Sequence, residues 1–252
     1  MEIYCKCGEN GFLKYLIKFF KNLWREDEHI FPPRLYIIDR TISEDDIKKY
    51  LKREVIVLPC EYNQEEEFVK NDKILSQLKD IPDRPLFLSS MAAKGLEFHR
   101  VWIYKFGDNC TDGFARTFSK EIPYDEQLKY EYFLNKLYVA VTRARKDLII
   151  IDTEKGEQKL WSLTTKINIP ENYEDKIESI TYGNHYGLSE FGQSDPLEMA
   201  RQLSQKDDPK LLRQASDFYR RAGEEKDALL YEAKALELEG NFKKTLGINT
   251  LN

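Results

Sequence analysis

Between Arg34 and Asp152 short apolar runs alternate with charged, helix-spaced stretches, and no other feature constrains the fold as strongly. The runs are Arg34-Leu-Tyr-Ile-Ile-Asp39, Val55-Ile-Val-Leu-Pro59, Pro85-Leu-Phe-Leu-Ser-Ser90, Val101-Trp-Ile-Tyr104 and Asp147-Leu-Ile-Ile-Ile-Asp152. Each is a short apolar run of strand length. Helices are expected over 43–52, over the charged stretch Glu65–Lys79 and over 126–145. Ser43 supplies a side-chain cap to the first of these, and Glu44, Asp45 and Asp46 complement its positive end. Strands that alternate with helices need crossover connections. The expected fold is therefore an α/β domain over residues 30–152, a mostly parallel sheet with flanking helices.

The flanks read differently. Residues 1–29 contain an amphipathic helix, 11–25, with Phe12, Leu16, Phe19, Phe20 and Leu23 on one face. Such a face docks on the core or a partner, or lies on a membrane surface. Lys14 and Lys18 interrupt its apolar stretch, and no window approaches the ~20 apolar residues of a membrane span. The expectation is a soluble intracellular protein, cytoplasmic or nuclear, without a membrane partner. Residues 153–195 are polar, with scattered Asn, Gly and Ser, and read as a linker. Residues 196–252 read as helical, with segments over 209–222 and 225–239 divided by Ala222-Gly223 and a stop at Gly240. The small and aromatic positions Ala215, Phe218, Tyr219, Ala222, Ala228, Tyr231 and Ala235 suit a tetratricopeptide-like helical hairpin. A plain hairpin remains the alternative, because such repeats usually stack in threes.

Charge and cysteine content exclude some functions. The formal net charge of −5 gives no general attraction for nucleic acid, so any such contact must be local. Of the four cysteines only Cys5 and Cys7 are close, and the three histidines are scattered, so no metal site is expected.

Two segments carry candidate chemistry. In Leu88-Ser-Ser-Met-Ala-Ala-Lys-Gly-Leu-Glu-Phe98 small residues stand where the chain leaves a strand, which suits close approach of a ligand. Ser89, Ser90 and Lys94 could face phosphate there, and Glu97 could accept from sugar hydroxyls. In Glu131-Tyr-Phe-Leu-Asn-Lys-Leu-Tyr-Val-Ala-Val-Thr-Arg-Ala-Arg-Lys146, Leu134, Leu137, Tyr138 and Val141 share one helix face, and Arg143, Arg145 and Lys146 follow. Read alone, those cations complement a helix end.

In this order the two strings resemble motifs V and VI of the UvrD/Rep-type superfamily 1 helicases. The resemblance spans residues 85–152 and reaches back to Arg34, where a strand, Arg40-Thr41 and a helix look like motif IV. The Lys-Leu-Tyr-Val-Ala form and the run Tyr104-Lys-Phe-Gly-Asp108 look most like the helicase-like proteins that also carry tetratricopeptide repeats. The resemblance implies a second RecA-like motor domain that contacts ATP and single-stranded nucleic acid, most naturally DNA. Arg143 would be its arginine finger and Arg40 a second contact on the phosphate side. Gly95 would let the nucleotide approach, and Glu97 would hold the ribose. Ser89, Ser90 and Lys94 would lie along the strand. Met91 stands where the family has histidine, and Leu134 and Asn135 where it often has two arginines.

No Gly-Lys pair of a phosphate-binding loop occurs in these 252 residues, nor a strand ending in Asp-Glu to hold Mg2+. The expected function is one half of an ATP-driven helicase or translocase, inactive alone. A phosphate-loop domain on another chain, or missing from this gene model, would complete it and hold the Mg2+. The rival expectation is a helicase-derived scaffold without enzymatic activity, binding protein or nucleic acid through the helical tail.

Overall fold

The computed structural model describes residues 33–114, 123–162, 181–183, 188 and 194–245. The expected 11–25 helix and the Cys5–Cys7 pair lie outside the described residues. The chain divides into two units, one of Met1–Gly95 with His99–Gly192 and one of Leu96–Phe98 with Gln193–Asn252.

Among the described residues the first unit is built on a six-stranded sheet of order β3-β2-β4-β5-β1-β6. Its strands are β1 (Arg34–Ile37), β2 (Val55–Leu58), β3 (Leu86–Ser89), β4 (Phe98–Tyr104), β5 (Ala144–Asp152) and β6 (Thr181–Tyr182). The five expected strands are all present, and β1 with β5, β1 with β6, β2 with β3 and β2 with β4 pair in parallel. All four residues of β2 are buried, as are the last six of β5, because helices cover both faces. The helices are α1 (Glu44–Tyr50), α2 (Glu65–Asn71), the single turn α3 (Ser90–Ala93), α4 (Tyr124–Val141) and α5 (Glu154–Gly156). This is the mostly parallel, helix-flanked α/β sheet expected of a RecA-like domain. Leu35, Tyr36, Ile56, Leu58, Trp102, Ile149 and Ile151 lie in the core, with Ile47 of α1 and Val69 of α2 packed among them.

Local chemistry sets the element ends. Ser43 Oγ accepts the Asp46 N–H at 3.1 Å and starts α1, as its sequence suggests. The stretch Glu65–Lys79 forms two pieces instead of one. Asp72 Oδ1 accepts the N–H groups of Ile74 and Leu75, both at 2.9 Å, and starts a separate 3-10 turn over Leu75–Leu78. Helix α4 ends at Val141, short of the expected 145. There Thr142 Oγ1 donates to the Tyr138 and Val139 carbonyls at 2.8 and 3.1 Å. Arg145 and Lys146 therefore stand in β5, not on a helix.

The segment read as a linker with little regular structure holds short regular pieces among its described residues. Helix α5 runs into a π-helical turn (Glu157–Trp161) whose Leu160 and Trp161 are buried. Beyond it β6 adds an edge strand beside β1, and Leu188 joins the core. Short, polar pieces of this kind have no periodicity of their own, so only their tertiary neighbours define them.

In the second unit α6 (Pro196–Leu203), α7 (Pro209–Arg221) and α8 (Glu225–Thr245) pack in sequence. Asp195 and Asp208 cap the first two. Helix α7 ends in a Schellman motif: the Glu224 N–H bonds the Tyr219 carbonyl and the Gly223 N–H the Arg220 carbonyl. Gly223 (φ +83°) holds the left-handed position this closure needs. Ala215, Ala228 and Ala235 are fully buried where α7 and α8 approach, and the rings of Tyr219 and Tyr231 stack at 5.2 Å. The stop expected at Gly240 does not occur. Its backbone is not left-handed and α8 continues to Thr245, at the ~1 kcal/mol that glycine costs inside a helix. Among the described residues no helix is long and apolar enough to cross a membrane.

Candidate functional site

The chain leaves β3 through α3. Ser89 Oγ accepts the Ala92 N–H at 3.2 Å, and the Ser89 N–H donates to Glu65 Oε1 at 3.3 Å. Ser89 and Ser90 are 0% and 2% exposed. Both hydroxyls, which the resemblance places along a bound strand, are covered, and that of Ser89 caps α3. Lys94 and Met91 are exposed on the same segment, and Gly95 follows with φ +79°. Glu97 belongs to the second unit, where it is exposed and its N–H donates to Gln202 Oε1 at 3.1 Å.

The two motif-bearing segments meet in the first unit, where α3 packs against α4. Arg143 stands in the two-residue joint between α4 and β5. Its Nε donates to the Val139 carbonyl at 2.9 Å and its Nη2 to Thr142 Oγ1 at 3.0 Å. The guanidinium is half-buried and folded back on the end of α4, where it complements the negative helix terminus.

Arg40 is elsewhere. It follows β1 in a tight turn with Asp39 at φ +62°, in which the Ile37 N–H donates to Thr41 Oγ1 at 2.8 Å. The β1–β5 register pairs Ile37 with Asp152. Arg40 therefore lies past the carboxyl end of that pair, whereas Arg143 precedes the amino end of β5. Nine residues of β5 separate the two levels, roughly 30 Å at ~3.3 Å per residue. One phosphate group cannot meet both arginines, so the geometry does not bring together the two cations the resemblance assigns to it.

Arg40 instead forms a fork with Glu157, Nη2 to Oε1 and Nη1 to Oε2, both at 2.7 Å. Its guanidinium lies 5.5 Å from the centre of the Tyr182 ring, and the Tyr182 hydroxyl donates to the same Glu157 carboxylate. The Arg40 hydrogen bond holds the Glu157 carboxyl below its ordinary range, and that from Tyr182 adds to it. No sequence signal points to this cluster, since Glu157 is 117 positions from Arg40 and both its other members lie in the presumed linker. The sign of its pH dependence follows from the lowered pKa. Its contribution is complete above the ordinary glutamate pKa of ~4.3 and is lost as pH falls below that value. Arg40 is 41% exposed, so after solvent screening the pair contributes on the order of 1 kcal/mol. Urea unfolding of Arg40→Ala should show that deficit at pH 7 and almost none at pH 3. An equal deficit at both would locate the effect in packing.

Asp152 ends β5 and is wholly buried. Its carboxylate accepts the N–H groups of Gly107 (2.6 Å), Asp108 (3.1 Å) and Thr153 (2.9 Å) and the indole N–H of Trp161 (2.7 Å). Burial pushes its pKa up to about 6 against the pull of these donors. It ties the loop after β4 to the helix that bears Glu157.

Residues 62–155 match the family model of the UvrD-like helicase C-terminal domain. The match contains α3, α4, Gly95, Glu97 and Arg143 and excludes Arg40. The C-terminal domain of a possible DNA helicase from Lactobacillus plantarum WCFS1 is 18% identical to this chain. It covers 54% of this chain and 83% of its own, at a TM-score of 0.32, too distant to carry an argument. No curated protein matches the chain.

Proposed function

We propose that the first unit is the second motor half of a superfamily 1 helicase or translocase, one that works only with a phosphate-loop domain. The observation that carries this reading is the packing of α3 on α4. It joins the segments that resemble motifs V and VI, inside the stretch that matches the helicase C-terminal family. Arg143 would swing from its helix end and reach the terminal phosphate of ATP held by the partner domain. Gly95 would admit the nucleotide, Glu97 would take the ribose hydroxyls, and Lys94 would meet the phosphates of a single strand, most naturally DNA. ATP, with Mg2+ on the partner domain, supplies the bond whose cleavage drives movement. The residues present fit only part of such a site. They offer one planar cation and a sugar-binding carboxylate, with no lysine-bearing phosphate loop in the sequence. Arg40 is better assigned to its ion pair with Glu157 than to the nucleotide.

A second reading draws on the same contacts. Arg143 and Arg40 are both engaged within the unit, as a helicase-derived scaffold would tolerate, and the helical second unit would then be a protein-docking surface. ATPase measurement separates the two. The homogeneous chain alone should turn over no ATP, and addition of a phosphate-loop motor domain should produce turnover that single-stranded DNA stimulates. Motor-like turnover by the chain alone would refute the incomplete-motor reading. No gain with any phosphate-loop partner would favour the scaffold.

A further inference from the structure

The sheet order creates a crevice that the motor reading does not use. From β2 the chain departs through α2 to β3 on one side, and from adjacent β4 it departs through α4 to β5 on the other. Loops that diverge from neighbouring parallel strands open a gap at their carboxyl ends, where open α/β sheets bind ligands. A cavity of about 430 Å³ lies there, within the range of small-molecule sites. Cys60 and Gln64 line it from the β2 side, Lys105, Asp108 and Asn109 from the β4 side, and Glu67, Phe68, Asn71 and Asp72 from α2 and its end.

The wall from β4 is the run Tyr104-Lys-Phe-Gly-Asp108, and it is held rigidly. The Tyr104 hydroxyl donates to Asp72 at 3.0 Å, Lys105 takes φ +53°, and Phe106 is buried. Gly107 and Asp108 are fastened through their N–H groups to Asp152. A Cβ at Gly107 would come 2.3 Å from the Gly156 carbonyl oxygen, so the loop has no slack. A wall fixed in advance spares a ligand the ordering cost of binding.

We propose that this cavity is a binding site for an organic cation rich in N–H donors, a guanidinium or a primary ammonium. Three carboxylates line it against one ammonium, and that ammonium is spent: Lys105 Nζ lies 2.6 Å from Asp72 Oδ2. Asp108 has only a long approach to Lys155, at 3.7 Å, and Glu67 has no ion pair among the described residues. Asn109 gives its Nδ2 to the Lys105 carbonyl, which leaves its side-chain oxygen as an acceptor. Acceptors therefore outnumber donors along the lining, and Glu67, with Asp108 only loosely held by Lys155, repels phosphate. Phe68 supplies apolar surface for the stem of such a ligand. Burial raises the Cys60 thiol to about 12, so it is a neutral wall and not a nucleophile. The cation could be an arginine or lysine side chain of a partner, or a free polyamine. The cavity stands at the carboxyl edge of the sheet, away from Arg143, and does not depend on the motor reading.

The test is an NMR titration of the full chain with arginine amide, spermidine and inorganic phosphate in turn. A cation should shift the backbone signals of Gln64, Phe68, Asn71 and Asn109 with a Kd of roughly 1–10 mM, as expected of so small a probe. The double variant Glu67→Gln, Asp108→Asn should weaken it about tenfold or more, in line with loss of two charge-assisted contacts. Both side chains reach solvent, so the fold should persist, and unchanged signals from β1 and β5 would verify it. Tighter binding of arginine amide identifies a protein side chain as the source, and tighter binding of spermidine a free polyamine. Silence at those four residues with both cations, equal affinity in the double variant, or phosphate binding at the same place would overturn the proposal.

Discussion

Arg143→Ala is expected to remove nearly all ATP turnover from an assembly of this chain with a phosphate-loop domain. Arginine fingers contribute about 10³–10⁵ in turnover in related phosphoryl-transfer systems, because they stabilise charge that develops on the transferring group. The fold should survive. Among the described residues the side chain gives up two hydrogen bonds to its own helix end, on the order of 1 kcal/mol each, and Thr142 continues to satisfy the Tyr138 and Val139 carbonyls. Arg143→Lys should keep charge at the helix end yet restore little turnover, since an ammonium lacks the planar fork. Arg145→Ala is the matched control: Arg145 is exposed in the first residues of β5, so its removal should be nearly silent. Turnover is measured on the reconstituted pair beside a thermal melt. Equally small losses at both arginines would reduce Arg143 to the helix-end cation its contacts already describe.

The largest stability effect is expected at Asp152. Asp152→Ala leaves the N–H groups of Gly107, Asp108 and Thr153 and the Trp161 indole without their acceptor. Two of these are fully buried, and at ~1–3 kcal/mol for each stranded donor the loss is roughly 3–5 kcal/mol. That is a large share of the ~5–15 kcal/mol by which a domain is stable. Asp152→Asn keeps the shape and isolates the charge. Because burial raises the pKa to about 6 from an unfolded value near 4, the native state binds the extra proton between those limits. The contribution of this carboxyl therefore falls as pH rises from ~4 to 6, and the Asn penalty should be larger at pH 4.5 than at pH 7.5. Asp72 and Glu157, with lowered pKa values, titrate alike in both proteins and cancel from the difference. Urea midpoints at the two pH values give the answer. A penalty that grows with pH would mean the four donors, not burial, govern the group.

Much of this architecture was legible because its signals are local. Val55-Ile-Val-Leu58 reads as a strand covered on both faces, and Ser43 announces the start of α1 four residues before its first buried side chain, Ile47, shows. The motif strings around Lys94 and Arg143 are continuous in sequence, and the fold sets the elements that carry them against each other. Local signals that compete with one another were not legible. The end of α4 is decided by a threonine hydroxyl in competition with the helix, and Gly240 was a plausible stop that nothing in its surroundings enforces.

Periodicity, capping and composition act within a few residues, so the sequence by itself determined strands β1 to β5 and the helix that ends just before Arg143. It also determined that these 252 residues carry no Gly-Lys phosphate loop. Strand order and register act across the whole chain, and only the tertiary structure decided what depends on them. Parallel pairing of β1 with β5 sends Arg40 and Arg143 to opposite edges of the sheet, however alike they look as cations beside strands. It also leaves Arg40 within reach of Glu157 and Tyr182, and the divergence of the chain after β2 and β4 opens the acidic cavity. Proximity in a parallel sheet is set by which strand lies beside which and by which end of each is shared, and neither is written in any short stretch of sequence.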